Sequence, residues 1–292
     1  MTAPTRERDR DFEPVYHHYG PHRAGLPPMI PYFRELWNRR AFAAEMSKAV
    51  MRGANTDTFF GQLWLILNPL LLAGVYYLLV TVIRGQHDPA FFTHLTLNLF
   101  AFNLVSTAIN SGATSVTGSG KLLMNTPFPR LLIPLSAVRT AFFRFLPTVP
   151  VYFAFHLIYL TDLWHPKMLL SLYFLGTMVL FGMGCAAFFS ALQVYFRDTS
   201  SFLPFFVRIW MYLSPVLWKP EAVDHMRSQT LQTLVQLNPM YSMLGGYTEL
   251  LQRSGFPPPY MWVTAGAWAV VVAAIGFLFF ISREREFTVR LV

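Results

Sequence analysis

The sequence predicts an all-α integral membrane protein: six transmembrane helices, an N-terminal amphipathic interface helix, and short re-entrant helices before the last span. Three observations lead there. Of 292 residues, 54% are hydrophobic and only 13% charged, about half the ~25% charged share of soluble domains. The apolar residues gather into runs of about 20, the length that crosses ~30 Å of hydrocarbon. The formal net charge is +8, but the lysines and arginines flank the apolar runs instead of forming one stripe. That placement fits anionic headgroups better than nucleic acid.

Residues 1–31, which include "MTAPTRERDRDFEPVYHHYGPHRAGLPPMI", are charged and Pro-rich with no apolar signal region. They read as a cytosolic tail. His17, His18 and His22 lack a fourth ligand at fixed spacing, so no metal is expected. Region 32–60 is read as an interface helix and linker. Phe33, Leu36, Trp37, Ala41 and Ala44 recur at helical spacing, interleaved with Arg34, Arg39, Arg40, Lys48 and Arg52. A six-span transmembrane domain follows at 61–282, and a short cytosolic C-terminal tail at 283–292.

The six spans are expected at 63–82, 91–116, within 131–160, at 168–196, at 201–218 and at 260–282. All are helices, because backbone groups in lipid must be satisfied within the segment. The second is unusually polar, and the fifth is short and carries prolines. Within region 219–251, "TLQTLVQLNPMYSMLGGYTELL" is broken by Asn238-Pro239 and Gly245-Gly246 and reads as a re-entrant hairpin. With six crossings the positive-inside rule places both termini in the cytoplasm of a plasma-membrane protein. Gly182 and Ala186, four apart, fit close helix packing. Asp198 is expected to cap the helix that starts near Ser200. Cys185 is the sole cysteine, so neither a disulfide within the chain nor a cysteine zinc site is available.

The loop 117–130, "TGSGKLLMNTPFPR", looks at first like a phosphate loop. It fails the pattern: Ser115 stands where the first glycine belongs, Leu122 replaces the hydroxyl that binds magnesium, and a membrane span precedes it. No catalytic residue or cofactor is expected in this chain; any ATP, with its Mg, must be handled by another chain. What the loop offers is Leu122, Leu123 and Met124 ahead of a rigid Pro127–Pro129 turn, a shape suited to docking in another protein's groove.

Four stretches, in order, resemble the membrane subunit of ABC exporters that move polysaccharides, the O-antigen and teichoic-acid exporter permeases. They are "FFGQLWLILNPLLLAGVYYLLV", "GKLLMNTPFPRLLIPLSAV", "ALQVYFRDTSSFLPFFVRIWMYLSPVLW" and "LNPMYSMLGGYTELL". The resemblance implies a homodimer with two copies of a separate ABC ATPase subunit. It implies that Lys121, Leu122, Leu123, Met124, Asn125, Thr126, Pro127, Phe128, Pro129 and Arg130 couple to that ATPase. It also makes 219–251 the outer gate. Arg-rich composition and the long tail resemble actinobacterial proteins that export lipid-linked galactan.

Arg139, Arg144 and Arg208 fall inside apolar stretches. A mid-membrane cation costs ~2.5–3.5 kcal/mol on insertion scales, so it faces protein, water or a ligand such as a lipid diphosphate. If the spans begin later, Arg139 and Arg144 snorkel to the interface instead. Channel-lining candidates are Trp64, Asn68, Tyr76 and Tyr77 in the first span. In the fifth they are Phe202, Phe205, Phe206, Trp210 and Tyr212, whose aromatic faces can stack on sugar rings. Rival readings are an exporter of drugs or small lipids and a membrane glycosyltransferase. The latter wants clustered carboxylates, and of the acids outside the tails only Glu221 and Asp224 are neighbours.

Overall fold

The computed structural model describes residues 27–54, 59–85, 88–120, 122, 128–160, 165–223, 228–253 and 255–290, and no strand occurs among them. Five helical stretches are long and apolar enough to cross a membrane: Gly61–Ile83, Pro89–Gly118, Leu132–Tyr159, Pro166–Tyr195 and Pro259–Glu286. The expected fifth span is shorter than drawn. Its helix covers Thr199–Leu213, about 22 Å at 1.5 Å per residue. Pro215 follows, and the chain runs on through an irregular turn to Trp218.

The helices are α1 (Met29–Asn38), α2 (Arg40–Gly53), α3 (Trp64–Arg84), α4 (Pro89–Gly118), α5 (Leu132–Phe145) and α6 (Thr148–Tyr159). They continue with α7 (Ser171–Tyr195), α8 (Thr199–Leu213), α9 (Gln229–Gln236), α10 (Pro239–Gln252) and α11 (Pro259–Arg283). The third expected span is thus two helices. Pro147 and Pro150 lack the N–H that a continuous helix would use, so the α-helical hydrogen bonding lapses at Leu146–Pro147 although the backbone stays right-handed helical there. The expected interface helix is also divided, at Arg39.

α4 is the central post. Asp88 caps it, its carboxylate accepting from the Phe91 amide at 3.2 Å, and Pro89 takes the first helical position, where no N–H is needed. Its hydropathic window is 78% buried, against 11% for the α3 span. α7 lies along α4 on one side and α11 on the other, and small residues let the backbones approach. A Cβ on Gly112 would fall 2.4 Å from the Ala186 Cβ, and one on Gly182 3.3 Å from that of Ala108. The Gly182/Ala186 pair therefore meets α4, as its spacing predicts. Gly276 of α11 seats on Gly184 of α7, where an added Cβ would lie 2.0 Å from the Gly184 carbonyl oxygen.

Two local expectations are corrected. α10 runs unbroken through Gly245-Gly246, because those glycines serve contact and not chain reversal: a Cβ on Gly246 would enter the Phe174 ring at 2.2 Å. Asp198 makes no side-chain cap. Gln193 does that work, accepting from the Ser200 amide at 2.7 Å and donating to the Arg197 carbonyl at 3.0 Å. On α1 and α2 the protein-facing side is Tyr32, Leu36, Ala43 and Ser47, while Phe33 and Trp37 stay exposed, which leaves the expected membrane-surface placement open.

Candidate functional site

Two regions gather the predicted residues. The first lies at the end of the bundle where both described chain ends sit. Of the proposed coupling residues, Lys121, Leu123, Met124, Asn125, Thr126 and Pro127 fall outside the described residues; Leu122, Phe128, Pro129 and Arg130 are within them. The Phe128 ring lies 4.8 Å from that of Phe42 on α2. The Arg130 guanidinium donates to the Glu284 carbonyl oxygen, and the Tyr32 hydroxyl donates to the Glu284 carboxylate at 2.7 Å. Burial, with the Glu284 carboxylate beside it, pushes the Tyr32 hydroxyl up from its ordinary pKa, so it stays a donor. The Tyr195 hydroxyl donates to Glu286 at 2.6 Å. This corner joins α1, α2, the Phe128–Arg130 turn, the end of α7 and the segment after α11. Tyr32 and Glu284 are 252 residues apart, and no sequence signal pairs them.

The second region is a crevice in the middle of the bundle. A cavity of about 510 Å³ has α4 as its floor and α3 and α8 as its walls. Asn68 and Tyr76 line it from α3; Asn103, Ser106 and Asn110 from α4; Arg208 and Tyr212 from α8. The Tyr76 and Tyr212 hydroxyls are 3.3 Å apart and join its two walls. A second cavity of about 220 Å³ holds Arg144 with Trp64, Asn68, Asn103 and Thr107. Asn68 and Asn103 line both, so Arg144 and Arg208 approach the same pair of amides from two sides.

Arg139 is not brought to that crevice. Its guanidinium lies 5.0 Å from the Phe143 ring centroid, and it stands close enough to Glu45 of α2 to act on it electrostatically. Lys48, hydrogen-bonded to Glu45, is the main influence holding that carboxyl below its ordinary pKa. The neighbouring Thr140 hydroxyl donates to Ser47 at 3.0 Å, tying α5 to α2. Among the aromatic candidates, Phe206 and Trp210 line a separate apolar cavity of about 300 Å³ with Ile109 and Cys185. Phe202 stacks on Phe206, their centroids 5.9 Å apart; Phe202 and Phe205 are both exposed. Tyr77 packs edge-on against Phe92. Asn103, Ser106 and Asn110 were not singled out by sequence reasoning, although the polarity of the second span was their signal.

At the far end, Asn238 joins α8 to the junction between α9 and α10. Its carbonyl oxygen accepts from the Trp210 indole at 2.8 Å and from the Met240 amide at 3.0 Å, and its amide donates to the Leu213 carbonyl at 3.1 Å. Asn238→Ala strips an acceptor from a half-buried indole N–H, at about 1–3 kcal/mol for an unsatisfied donor, and removes a helix cap besides. A melting midpoint lower by several degrees in detergent is expected; an unchanged midpoint would remove Asn238 from this role. Nearby, Thr248 donates to Asn98 at 2.9 Å, and Arg253 pairs with Glu221 and with Glu249 at 3.4 Å. Burial raises the Glu249 carboxyl above its ordinary pKa, and Arg253 opposes that rise.

No family model matches the chain. Known proteins do. An O-antigen export system permease protein of Myxococcus xanthus is 26% identical over 260 residues, which is 89% of this chain and 98% of the relative. Two from Klebsiella pneumoniae are 28% and 26% identical over 202 residues, each match taking in 68% of this chain and 74% of the relative. Across most of its length the chain therefore resembles the permease subunits of ABC-type polysaccharide exporters, as its four motif stretches indicate.

Proposed function

We propose that this chain is the membrane subunit of an ATP-driven exporter that moves a lipid-linked polysaccharide from the cytoplasmic to the outer face of the plasma membrane. Two copies form the path, and two copies of a separate ATPase supply the energy. The observation that carries this reading is the near end-to-end match with an O-antigen export permease. The positive-inside distribution supports cytoplasmic termini. In this reading α8, short and carrying Pro204, makes the fifth of six crossings, and α9–α10 form the re-entrant outer gate. Galactan is the first polymer to assay.

Closure of the ATPase would push on 121–130. That displacement would enter the membrane part through the Phe128–Phe42 contact and the Arg130–Glu284–Tyr32 linkage, which reach α2, α11 and α1 respectively. Packed helices pass such a push on as rigid bodies.

The test is ATPase activity of the chain purified alone and then with the ATPase it co-purifies with, alongside glycan export in cells carrying both. Alone it should hydrolyse nothing, and the complex should hydrolyse ATP. Phe128→Ala in the complex should keep ATP hydrolysis while glycan exported per ATP falls by several-fold. Hydrolysis by the chain alone would overturn the assignment.

A further inference from the structure

α4 is the most buried of the five long spans, yet one of its faces is polar and open. Asn103, Ser106, Asn110 and Thr114 follow one another at three- and four-residue steps along that face. Asn103 and Thr114 are exposed, Ser106 and Asn110 half-buried. The Asn110 amide nitrogen donates to the Ser106 carbonyl at 2.9 Å, but its carbonyl oxygen is shut off from solvent with no hydrogen-bond partner. No hydrogen bond to the Asn103 side chain is found among the described residues. Within a membrane each such amide costs about 1–3 kcal/mol unless water or a ligand in the crevice pairs with it.

The geometry restricts what that something is. Asn103, Ser106 and Asn110 lie on the floor of a 510 Å³ crevice whose walls are α3 and α8, and Thr114 follows one turn beyond it; a helix of a second copy laid across the crevice would meet the walls first. Acyl chains offer it no hydrogen bonds. The floor carries no charge, so it does not select an anion; the one cation of the crevice, Arg208, stands on a wall. Amides and hydroxyls both donate and accept, which matches the hydroxyl groups of neutral sugars. From Thr114 to Asn103 the stripe is about 16 Å long at 1.5 Å per residue. Beyond Asn103, the Tyr76–Tyr212 hydroxyl pair bridges the walls.

We propose that Asn103, Ser106, Asn110 and Thr114 form a hydrogen-bonding track for the hydroxyls of neutral sugar residues, entered from the end of the bundle that carries the termini and closed at its far end by Tyr76 and Tyr212. The proposal rests on the exporter reading above and adds the surface the glycan touches. No single group on the track binds tightly, so a chain of sugars slides from one amide to the next.

Cys185 is the only cysteine and is buried, which permits a direct test. In a Cys185→Ala background, Asn103→Cys, Ser106→Cys and Asn110→Cys are made singly, with Val270→Cys on the outward face of α11 as the lipid-facing control. Each is co-expressed with the ATPase. Membrane vesicles are treated with the cationic thiol reagent methanethiosulfonate ethyltrimethylammonium. The vesicles come from cells making their lipid-linked glycan and from cells in which the first glycosyl transfer is blocked. In blocked cells the track cysteines should react at least about tenfold faster than the control, because a hydrated crevice admits the reagent and lipid does not. In glycan-making cells they should react several-fold slower, while the control does not change. No reaction in blocked cells, or equal rates in both preparations, overturns the track. Glycan export by the Cys185→Ala parent, read in the same cells, separates the two failures. An exporting parent with glycan-insensitive cysteines sinks the track alone; a complex that never exports sinks the exporter reading beneath it.

Discussion

Gly276→Leu should leave no assembled protein. A Cβ at Gly276 would sit 2.0 Å from the Gly184 carbonyl oxygen and 2.7 Å from its carbon; reciprocally, a Cβ at Gly184 would sit 2.4 Å from the Val272 carbonyl oxygen. Backbone faces backbone on both sides, so no rotamer change relieves the clash and α11 must lift off α7. Overpacking usually costs about 1–3 kcal/mol when side chains can yield, and here none can. Association between membrane helices comes mostly from such close packing, without a hydrophobic drive between them. Size-exclusion chromatography of a fluorescent fusion should show aggregate or nothing for Gly276→Leu. It should show a normal peak for Gly176→Ala, where nothing lies within 4 Å of the added atom. Gly182→Ala, whose nearest neighbour is the Ala108 Cβ at 3.3 Å, should fall between them. A normal peak for Gly276→Leu would mean that α7 and α11 do not cross there.

The spans were legible because composition and run length decide them: the apolar runs at 63–82, 168–196 and 260–282 became helices with ends within a few residues. What the sequence hid was partnership. Gly245-Gly246 reads as a chain break until Phe174 is seen packed against it. Asp198 occupies a cap position, yet Gln193 reaches across from the preceding helix and takes the role. Phe33 and Trp37 carry the amphipathic pattern of α1 but face outward, while Tyr32 turns inward to Glu284. The site divided in the same way. Residue type picked out Asn68, Tyr76, Arg208 and Tyr212 as candidates, and three-dimensional contact put them in one crevice. The floor of that crevice, on α4, was visible only as unexplained polarity, because one helix read alone does not reveal which of its faces is open.

The three arginines in the apolar stretches should behave differently, and the difference tests how the crevice works. Arg208 stands on the wall of the larger cavity, with Asn68 and Asn103 opposite and the Tyr76–Tyr212 pair beyond. No carboxylate is among the residues lining that cavity. A cation kept in an apolar region against a cost of ~2.5–3.5 kcal/mol is retained for a contact it makes. If that contact is a lipid diphosphate, Arg208→Leu removes a charged hydrogen bond of about 1.5–3 kcal/mol. Export should then fall by about ten- to a hundred-fold, with complex assembly and basal ATP hydrolysis intact. Lysine restores charge but not the planar fork that grips phosphate, so Arg208→Lys should recover only part of the loss. Arg139 sits against Phe143 and beside the exposed Glu45, away from the crevice; Arg139→Leu should therefore change export less than about twofold. Glycan export in cells, normalised to the amount of assembled complex, measures both. Equal losses would place Arg139 on the substrate path as well. Normal export by Arg208→Leu would leave the crevice without a role for its cation, and the diphosphate would have to be held elsewhere, first of all by Arg144 on the other side of Asn68 and Asn103.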